Sequence, residues 1–238
     1  MNIFLLEERD FESQDIAVIY GRRFEHARDI LNVRIGDELK AGLLNGMLGT
    51  IKILDRTEDA IRVQAFWTEE PPLKREVTVL LALPRPPVAR RLIAVLTAMG
   101  VSRIVLMQTA RVEKSYWSSP VLKIENLEAT IKLGLEQARD TVMPSVCFEK
   151  NFKALVRDRL PELIQGRRAL LAHPYEADRC PCAVQDPVVL AIGPEGGFFD
   201  EEARMFCECG FEPVTLGPRI LRVETAVQAM VGRVVLVD

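Results

Sequence analysis

The sequence predicts an α/β chain in which a small β-rich module over residues 1–72 precedes a parallel-sheet domain over residues 73–238. Three observations carry this reading. From Val77 onward, short β-branched runs alternate with helical stretches, the pattern of strands joined by crossover helices. Before that point, Asn45-Gly46 lies between two strand-like runs, and this dipeptide readily takes the positive φ angles of a tight hairpin. Between the two regions, Glu69-Glu-Pro-Pro-Leu73 is a natural linker, because tandem prolines break both ladders and helices.

In the first module, Phe24 to Leu31 has apolar residues at helical spacing, and Gly36-Asp37 closes that region with a turn. Strands follow at 39–44, 47–54 and 60–66. In the second domain, strands are expected at 77–83, 103–108, 168–172, 188–192 and 213–216, and helices at 87–99, 121–139, 151–160, 200–209 and 224–236. Asp200 is the expected N-cap of the fourth of these helices, with Glu201 and Glu202 in its first turn and Gly210 as its stop. The sequence contains no internal repeat and no low-complexity segment.

A hydrophobic fraction of 48% with 27% charged residues is that of a folding globular chain and excludes a disordered one. A membrane span needs roughly 20 apolar residues, and the most apolar run, Val77 to Leu83, stops at Pro84. The segment Met1 to Arg9 lacks the basic start and long apolar run of a signal peptide, so a cytoplasmic protein with no membrane partner is expected. Five cysteines, an odd count at low density, fit free thiols in a reducing compartment. Neither Cys180-Pro-Cys182 nor Cys207-Glu-Cys209 has the usual zinc spacing, and no metal is expected. His26 and His173 are the only histidines, and neither stands beside a serine or cysteine nucleophile.

The net charge of −3 hides an uneven distribution. Residues 1–72 carry nine basic and fourteen acidic side chains, whereas 73–120 carry eight basic and two acidic. A local basic surface of that kind seats a polyanion such as RNA, or else consists of ordinary solvated helix faces.

The most informative segment is Val188 to Glu202, where a buried strand runs into Gly193-Pro194-Glu195-Gly196-Gly197 and then a helix. Three glycines in five positions remove Cβ atoms at the carboxyl end of a strand, either for a tight turn or so that a ligand can approach backbone N–H groups. Some twenty residues later the arrangement recurs: a strand ends at Leu216-Gly217-Pro218, followed by Arg219, Arg222, Glu224 and Thr225 ahead of a helix. Two such turns, closing neighbouring strands, would form one crevice.

Ile192-Gly-Pro-Glu-Gly-Gly-Phe198 together with Leu216-Gly-Pro-Arg-Ile-Leu-Arg-Val-Glu-Thr-Ala226 resembles the paired signature of the RsmE-type 16S rRNA (uracil-N3)-methyltransferases of the SPOUT superfamily. The likeness extends more weakly to Leu135-Glu-Gln-Ala-Arg139 with Pro144, and to His26 through Gly36-Asp37. It implies a SPOUT-type trefoil-knotted parallel-sheet domain preceded by a small PUA-like β-barrel domain. It also implies S-adenosyl-L-methionine as cofactor, 16S rRNA or the small ribosomal subunit as partner, and a homodimer. The apolar final helix, from Ala226 to Val237, would supply core packing or the dimer interface. Carried over by position, the cofactor-binding residues are Leu171, His173, Pro174, Ile192, Gly193, Glu195, Gly196, Gly197, Leu216, Gly217, Ile220, Leu221 and Thr225. Val223 stands where the family more often has threonine.

Methyl transfer from a sulfonium needs a nucleophile held in line with the methyl. Uridine N3 must first lose its proton, which leaves negative charge on the neighbouring carbonyl oxygens, and an arginine aimed there stabilises it. Arg222 is the expected catalytic arginine, with Arg219 the second choice, and Glu195 or Glu224 orients the arginine or relays the proton. N3 lies on the base-pairing edge, so the target base must be unpaired or extruded. Arg22, Arg23, Arg85, Arg90, Arg91, Arg111, Lys114, Trp117 and Arg219 are the expected RNA-facing residues. Two rival readings use the same residues differently. A dinucleotide oxidoreductase would place its glycine fingerprint after the first strand of the fold, not near the end. A non-catalytic RNA-binding protein would not need Arg222 and Glu224 beside a crevice.

Overall fold

The computed structural model describes residues 1–174 and 176–235. They form two compact units: Met1–Leu73 with Lys132–Met143, and Lys74–Ile131 with the chain from Pro144 onward.

The first unit contains β1 (Phe4–Leu6), a 3-10 turn at Glu8–Asp10, β2 (Ile16–Tyr20) and α1 (Gly21–Glu25), which continues as a π turn over His26–Ile30. Strands β3 (Glu38–Leu43), β4 (Leu48–Arg56) and β5 (Ala60–Glu69) follow. The sheet order is β1-β3-β4-β5-β2. Only the β1–β3 pair is parallel. Inward-facing Ile51, Ile53, Ile61 and Val63 pack with Phe4, Ile19 and Phe24 into one core, the one-sided burial that alternating strands provide. The β3–β4 hairpin turns at the expected place, where the Leu43 N–H donates to the Met47 carbonyl at 2.9 Å. Only Asn45 takes a left-handed conformation there, with φ of 58°; Gly46 does not. The sequence reading missed β1 and β2. Three apolar residues in a row show no period, and Ile16-Ala-Val-Ile-Tyr20 is apolar throughout, which hides its alternation.

The second unit begins with β6 (Arg75–Ala82), α2 (Pro86–Ala98) and β7 (Val101–Met107). After two 3-10 turns at Lys114–Ser118 and Pro120–Leu122 come α3 (Ile124–Ala138), whose residues from Lys132 count with the first unit, and β8 (Ser145–Glu149). The next helical stretch is broken into α4 (Phe152–Ala154), a π turn over Leu155–Arg159 and α5 (Leu160–Ile164), where a single helix over 151–160 was expected. Then come β9 (Arg168–Ala172), β10 (Asp178–Arg179), β11 (Val188–Ile192), α6 (Asp200–Glu208), β12 (Glu212–Thr215) and α7 (Val223–Val235). Leu236, the expected last residue of the final helix, lies outside the described residues, as does Val237.

The seven strands are ordered β10-β12-β9-β11-β6-β7-β8, and every pair is parallel. All carboxyl ends therefore emerge on one edge, where parallel sheets hold ligands. The central strands β6 and β11 are almost continuously buried, as strands covered on both faces are. This order corrects one expectation: β11 and β12 are not neighbours, because β9 lies between them. The helix after β11 is also capped differently, with Phe199 as the N-cap and Asp200 as its first helical residue. Gly210 ends that helix with φ of 100°, a left-handed value that costs glycine little.

Candidate active site

The strand register brings three loops to one level. Val214 of β12 pairs with Ala172 of β9, and Ala172 pairs with Ile192 of β11. These three residues line the floor of a cleft of about 500 Å³, whose walls come from the segments that follow each strand. His173 and Pro174 extend β9, Gly193 to Phe198 extend β11, and Thr215 to Leu221 extend β12, while Val223, Ala226 and Met230 come from α7 and its start. The two proline-punctuated turns thus share one cleft, with the β9 loop between them.

The turn after β11 is built by its glycines. The Gly197 N–H donates to the Pro194 carbonyl at 2.8 Å, and Gly197 has φ of 71°, a conformation that L side chains rarely take. A Cβ on Gly193 would stand 3.1 Å from the Phe198 nitrogen, tighter than most Cβ contacts, so a side chain here would push the turn's backbone apart by a few tenths of an ångström. Gly217, at φ of 122°, performs the equivalent reversal after β12, where the Thr215 hydroxyl bridges the turn by donating to the Gly217 carbonyl at 3.0 Å.

Two side chains fasten the β11 turn to other carboxyl-edge loops. Glu202, 7% exposed, accepts from the Ala110 N–H at 2.7 Å and from the Phe199 N–H at 2.9 Å. Glu195 lines the cleft and accepts from the Arg85 N–H at 3.1 Å, at the N-cap of α2. Sequence reasoning saw Glu202 only as a first-turn acid. Its bond to a loop more than ninety residues away leaves no local signal.

Of the expected cofactor residues, His173, Pro174, Ile192, Gly193, Glu195, Gly196, Gly197, Leu216, Ile220 and Leu221 line the cleft. Leu171 is buried within β9, Gly217 is not part of the lining, and Thr225 is exposed on α7. Arg222 and Glu224 flank Val223 where α7 begins; Arg222 is exposed, Glu224 half-buried, and neither is part of the lining. Of the expected RNA-facing residues, Arg219 and Arg111 do line the cleft.

Arg85, Arg90, Arg91 and Lys114 are exposed. Trp117 is half-buried: its indole N–H donates to Gln108 at 2.5 Å, and its ring meets Phe148 edge-on at 6.2 Å. Its neighbour Tyr116 donates its hydroxyl proton to Glu113 at 3.0 Å; burial, and then Glu113, hold that hydroxyl above its usual range, while Arg85 opposes the shift.

In the first unit, Arg23 corrects the expectation of an RNA-facing side chain. Its guanidinium turns inward, making a bidentate pair with Asp10 at 2.7 and 2.8 Å and donating to the Leu5 carbonyl at 2.7 Å. Burial alone would lower its pKa, but Asp10 more than offsets this and raises it. Arg22 pairs with the buried Glu136 at 2.6 Å, its own side chain half in solvent.

A family model described as RNA methyltransferase domain matches residues 70–235. Among curated proteins, the chain is 27% identical to the ribosomal RNA small subunit methyltransferase E 1 of Borreliella burgdorferi, over 95% of this chain and 94% of that one. It is 29% identical to the ribosomal RNA small subunit methyltransferase E of Treponema pallidum, over 95% of this chain and 87% of that one. Among solved structures, the fold matches a putative methyltransferase from Legionella pneumophila in complex with SAM, with a TM-score of 0.77 at 22% identity over 98% of this chain and 96% of that one. It also matches a ribosomal RNA small subunit methyltransferase E from Neisseria gonorrhoeae bound to S-adenosyl methionine, with a TM-score of 0.75 at 20% identity over 98% and 95% of the two chains.

Proposed function

The chain belongs to the RNA methyltransferase family, and on that premise we propose that it transfers a methyl group from S-adenosylmethionine to N3 of a uridine in 16S rRNA of the small ribosomal subunit. The observation that carries this reading is the single cleft on which the loops after β9, β11 and β12 converge. Its volume is that of a small-molecule site, and its floor of Ala172, Ile192 and Val214 is apolar, as is Met230 in the α7 wall, while its remaining walls are turns rich in backbone amides. An adenosine with an amino-acid tail suits such a lining. The names of the Borreliella and Treponema relatives, each aligned over 95% of this chain, support rRNA as the substrate.

S-adenosylmethionine, when bound, supplies an electrophilic methyl on a sulfonium. The chain's own residues must hold the base in line, exclude water and manage the charge left by the N3 proton. Arg222, exposed just before the first turn of α7, stabilises negative charge developing on the uracil oxygens. Glu224, two positions on, and Glu195, in the cleft wall, are the carboxylates that orient this arginine or take up the proton. Arg85, Arg90, Arg91, Lys114 and Arg219, all exposed, supply phosphate contacts.

Three further features belong to the same reading. The mainly antiparallel first unit is a PUA-like docking module. The second unit is a trefoil knot, a rare exception to unthreaded topology. Supporting it, the N–H groups of Ala183 and Val184 donate to the Arg233 and Val234 carbonyls at 2.9 and 3.0 Å, tying the end of α7 to the loop ahead of β11. A homodimer in the cytoplasm is the working form, with Ile220, 77% exposed, and Leu221 as apolar surface to be covered. Among the described residues, no helix is long and apolar enough to cross a membrane.

Two measurements test the proposal. In calorimetry the chain should bind S-adenosylmethionine saturably and NAD not at all; the reverse would favour an oxidoreductase. Mass spectrometry of rRNA from cells lacking the gene should reveal one missing uridine methyl group, and a methylation pattern identical to that of wild-type cells would refute the substrate. Arg222→Ala should lower kcat by roughly a hundredfold or more, the cost of losing one stabilising donor, with cofactor affinity unchanged because Arg222 is not in the lining. Sedimentation at micromolar concentration would give twice the 26.8 kDa chain mass if the dimer forms.

A further inference from the structure

The loop after β7 is tightly organised, and its contacts run toward the glycine turn. Gln108 stitches it internally: the side-chain amide donates to the carbonyls of Thr109 at 2.6 Å and Val112 at 2.9 Å, while its oxygen accepts from Trp117. The backbone then meets Glu202 through the Ala110 N–H. One residue on, the Arg111 guanidinium donates through Nη1 to the Gly196 carbonyl, and its central carbon lies 4.2 Å from the centroid of the Phe199 ring.

The aliphatic stem of Arg111 lies directly over Gly196. A Cβ built on Gly196 would stand 2.9 Å from the Arg111 Cδ, a separation that real Cβ atoms do not tolerate. A side chain at position 196 would therefore have to displace the Arg111 stem, whatever ligand enters the cleft. Both residues belong to the cleft lining, at the turn that follows β11.

We propose that Arg111 is a latch for the cofactor turn: a positioning residue that clamps Gly196 and Phe199 in the conformation that receives S-adenosylmethionine, rather than a contact to RNA phosphate. The inference deepens the functional reading above and rests on it. A guanidinium suits this task because it is planar, stacks on an aromatic face and still donates in its own plane. Lysine carries the same charge without that geometry.

The test is calorimetric, on the full chain, with S-adenosylmethionine as the ligand. Arg111→Ala should weaken binding roughly tenfold, the combined scale of one exposed cation–π contact and one hydrogen bond. Arg111→Lys should weaken it nearly as much. Gly196→Ala should mimic both, because its methyl group displaces the same stem, and the double variant Arg111→Ala with Gly196→Ala should be about as weak as either single one. In turnover assays the loss should appear in the KM for S-adenosylmethionine, with the salt dependence of RNA binding unchanged. Restored affinity in Arg111→Lys, additive losses in the double variant, or an altered RNA salt slope would each overturn the latch and return Arg111 to a phosphate contact. So would a variant whose Tm falls while its cofactor affinity stays at the wild-type value. Wild-type protein that fails to bind S-adenosylmethionine would overturn the functional reading and the latch together; undiminished binding in the Arg111 variants would overturn the latch alone.

Discussion

At Glu202 one carboxylate joins the start of α6, the glycine turn and the loop after β7, since its two oxygens accept from the Phe199 and Ala110 N–H groups. Glu202 is 7% exposed, and both donors would lose their partner in these half-buried bonds if the side chain were cut back. A buried N–H left without an acceptor costs on the order of 1–3 kcal/mol, and bonds to a charged group sit at the upper end. Because Ala110 and Phe199 lie at the surface and the two bonds are only half-buried, Glu202→Ala should destabilise the protein by about 1–3 kcal/mol in urea unfolding, and Glu202→Gln, which keeps one acceptor, by about half as much. A cost below about 1 kcal/mol for Glu202→Ala would mean that neither bond matters in solution. The contrast with Arg23 is instructive at this scale. The sequence suggests a first-turn helix acid at Glu202 and an RNA-facing cation at Arg23, yet both are held by groups distant in sequence, Ala110 in the first case and Asp10 and Leu5 in the second. The partners that decide a charged side chain's role carry no periodic signal.

The element that supports the cleft most directly is α6, through Phe206. This ring is 0% exposed and packs against Phe198 at 5.2 Å, Phe211 at 5.0 Å and Phe152 at 5.5 Å. Phe198 is itself part of the cleft lining, so the aromatic cluster forms the wall behind the glycine turn. Phe206→Ala should cost about 3–5 kcal/mol by opening a cavity. It should also weaken S-adenosylmethionine binding, a coupling that calorimetry on the still-folded fraction at low temperature would detect; unaltered affinity would show that the turn does not lean on the cluster. At the level of elements, legibility followed burial and length. Strands β9 and β11 stand over Arg168–Ala172 and Val188–Ile192, the very limits expected, because continuous apolar runs bounded by turn residues leave little freedom. β8 and β10 escaped notice for the opposite reason. β8 is a half-exposed edge strand, and β10 has two residues, both exposed. The glycine-proline turns were legible as a pair. The strand that separates them was not, since sheet order depends on which crossovers the chain takes, and each is compatible with the same local pattern.

For the molecule as a whole, that sheet order determines where a ligand can act. The strands that end at the cleft, β12, β9 and β11, are consecutive in the sheet, while β7 and β8 lie beyond β6 toward the other edge. A ligand seated in the cleft touches segments separated by nearly sixty residues of chain, from His173 to Met230, and so links β9, β11 and β12 with α7. Such binding stabilises the folded state by mass action, about 2.7 kcal/mol at a hundred times the Kd. For a unit of this size that corresponds to a rise in Tm of roughly 5–10 °C. The increase should be accompanied by a localised change in hydrogen exchange, because only segments that must open to release the ligand gain its free energy. S-adenosylmethionine should slow exchange over 172–174, 193–199 and 214–223, all around the cleft. It should also reach 108–112, through Glu202 and the Arg111 contact with Gly196, while the hairpin of β3 and β4 in the first unit keeps its unliganded rates. Protection that covered the three cleft segments but spared 108–112 would leave the β7 loop outside the ligand-coupled set. Equal protection in the β3–β4 hairpin would mean that the two units open together, and the ligand would then report global stability in place of the local architecture of the cleft.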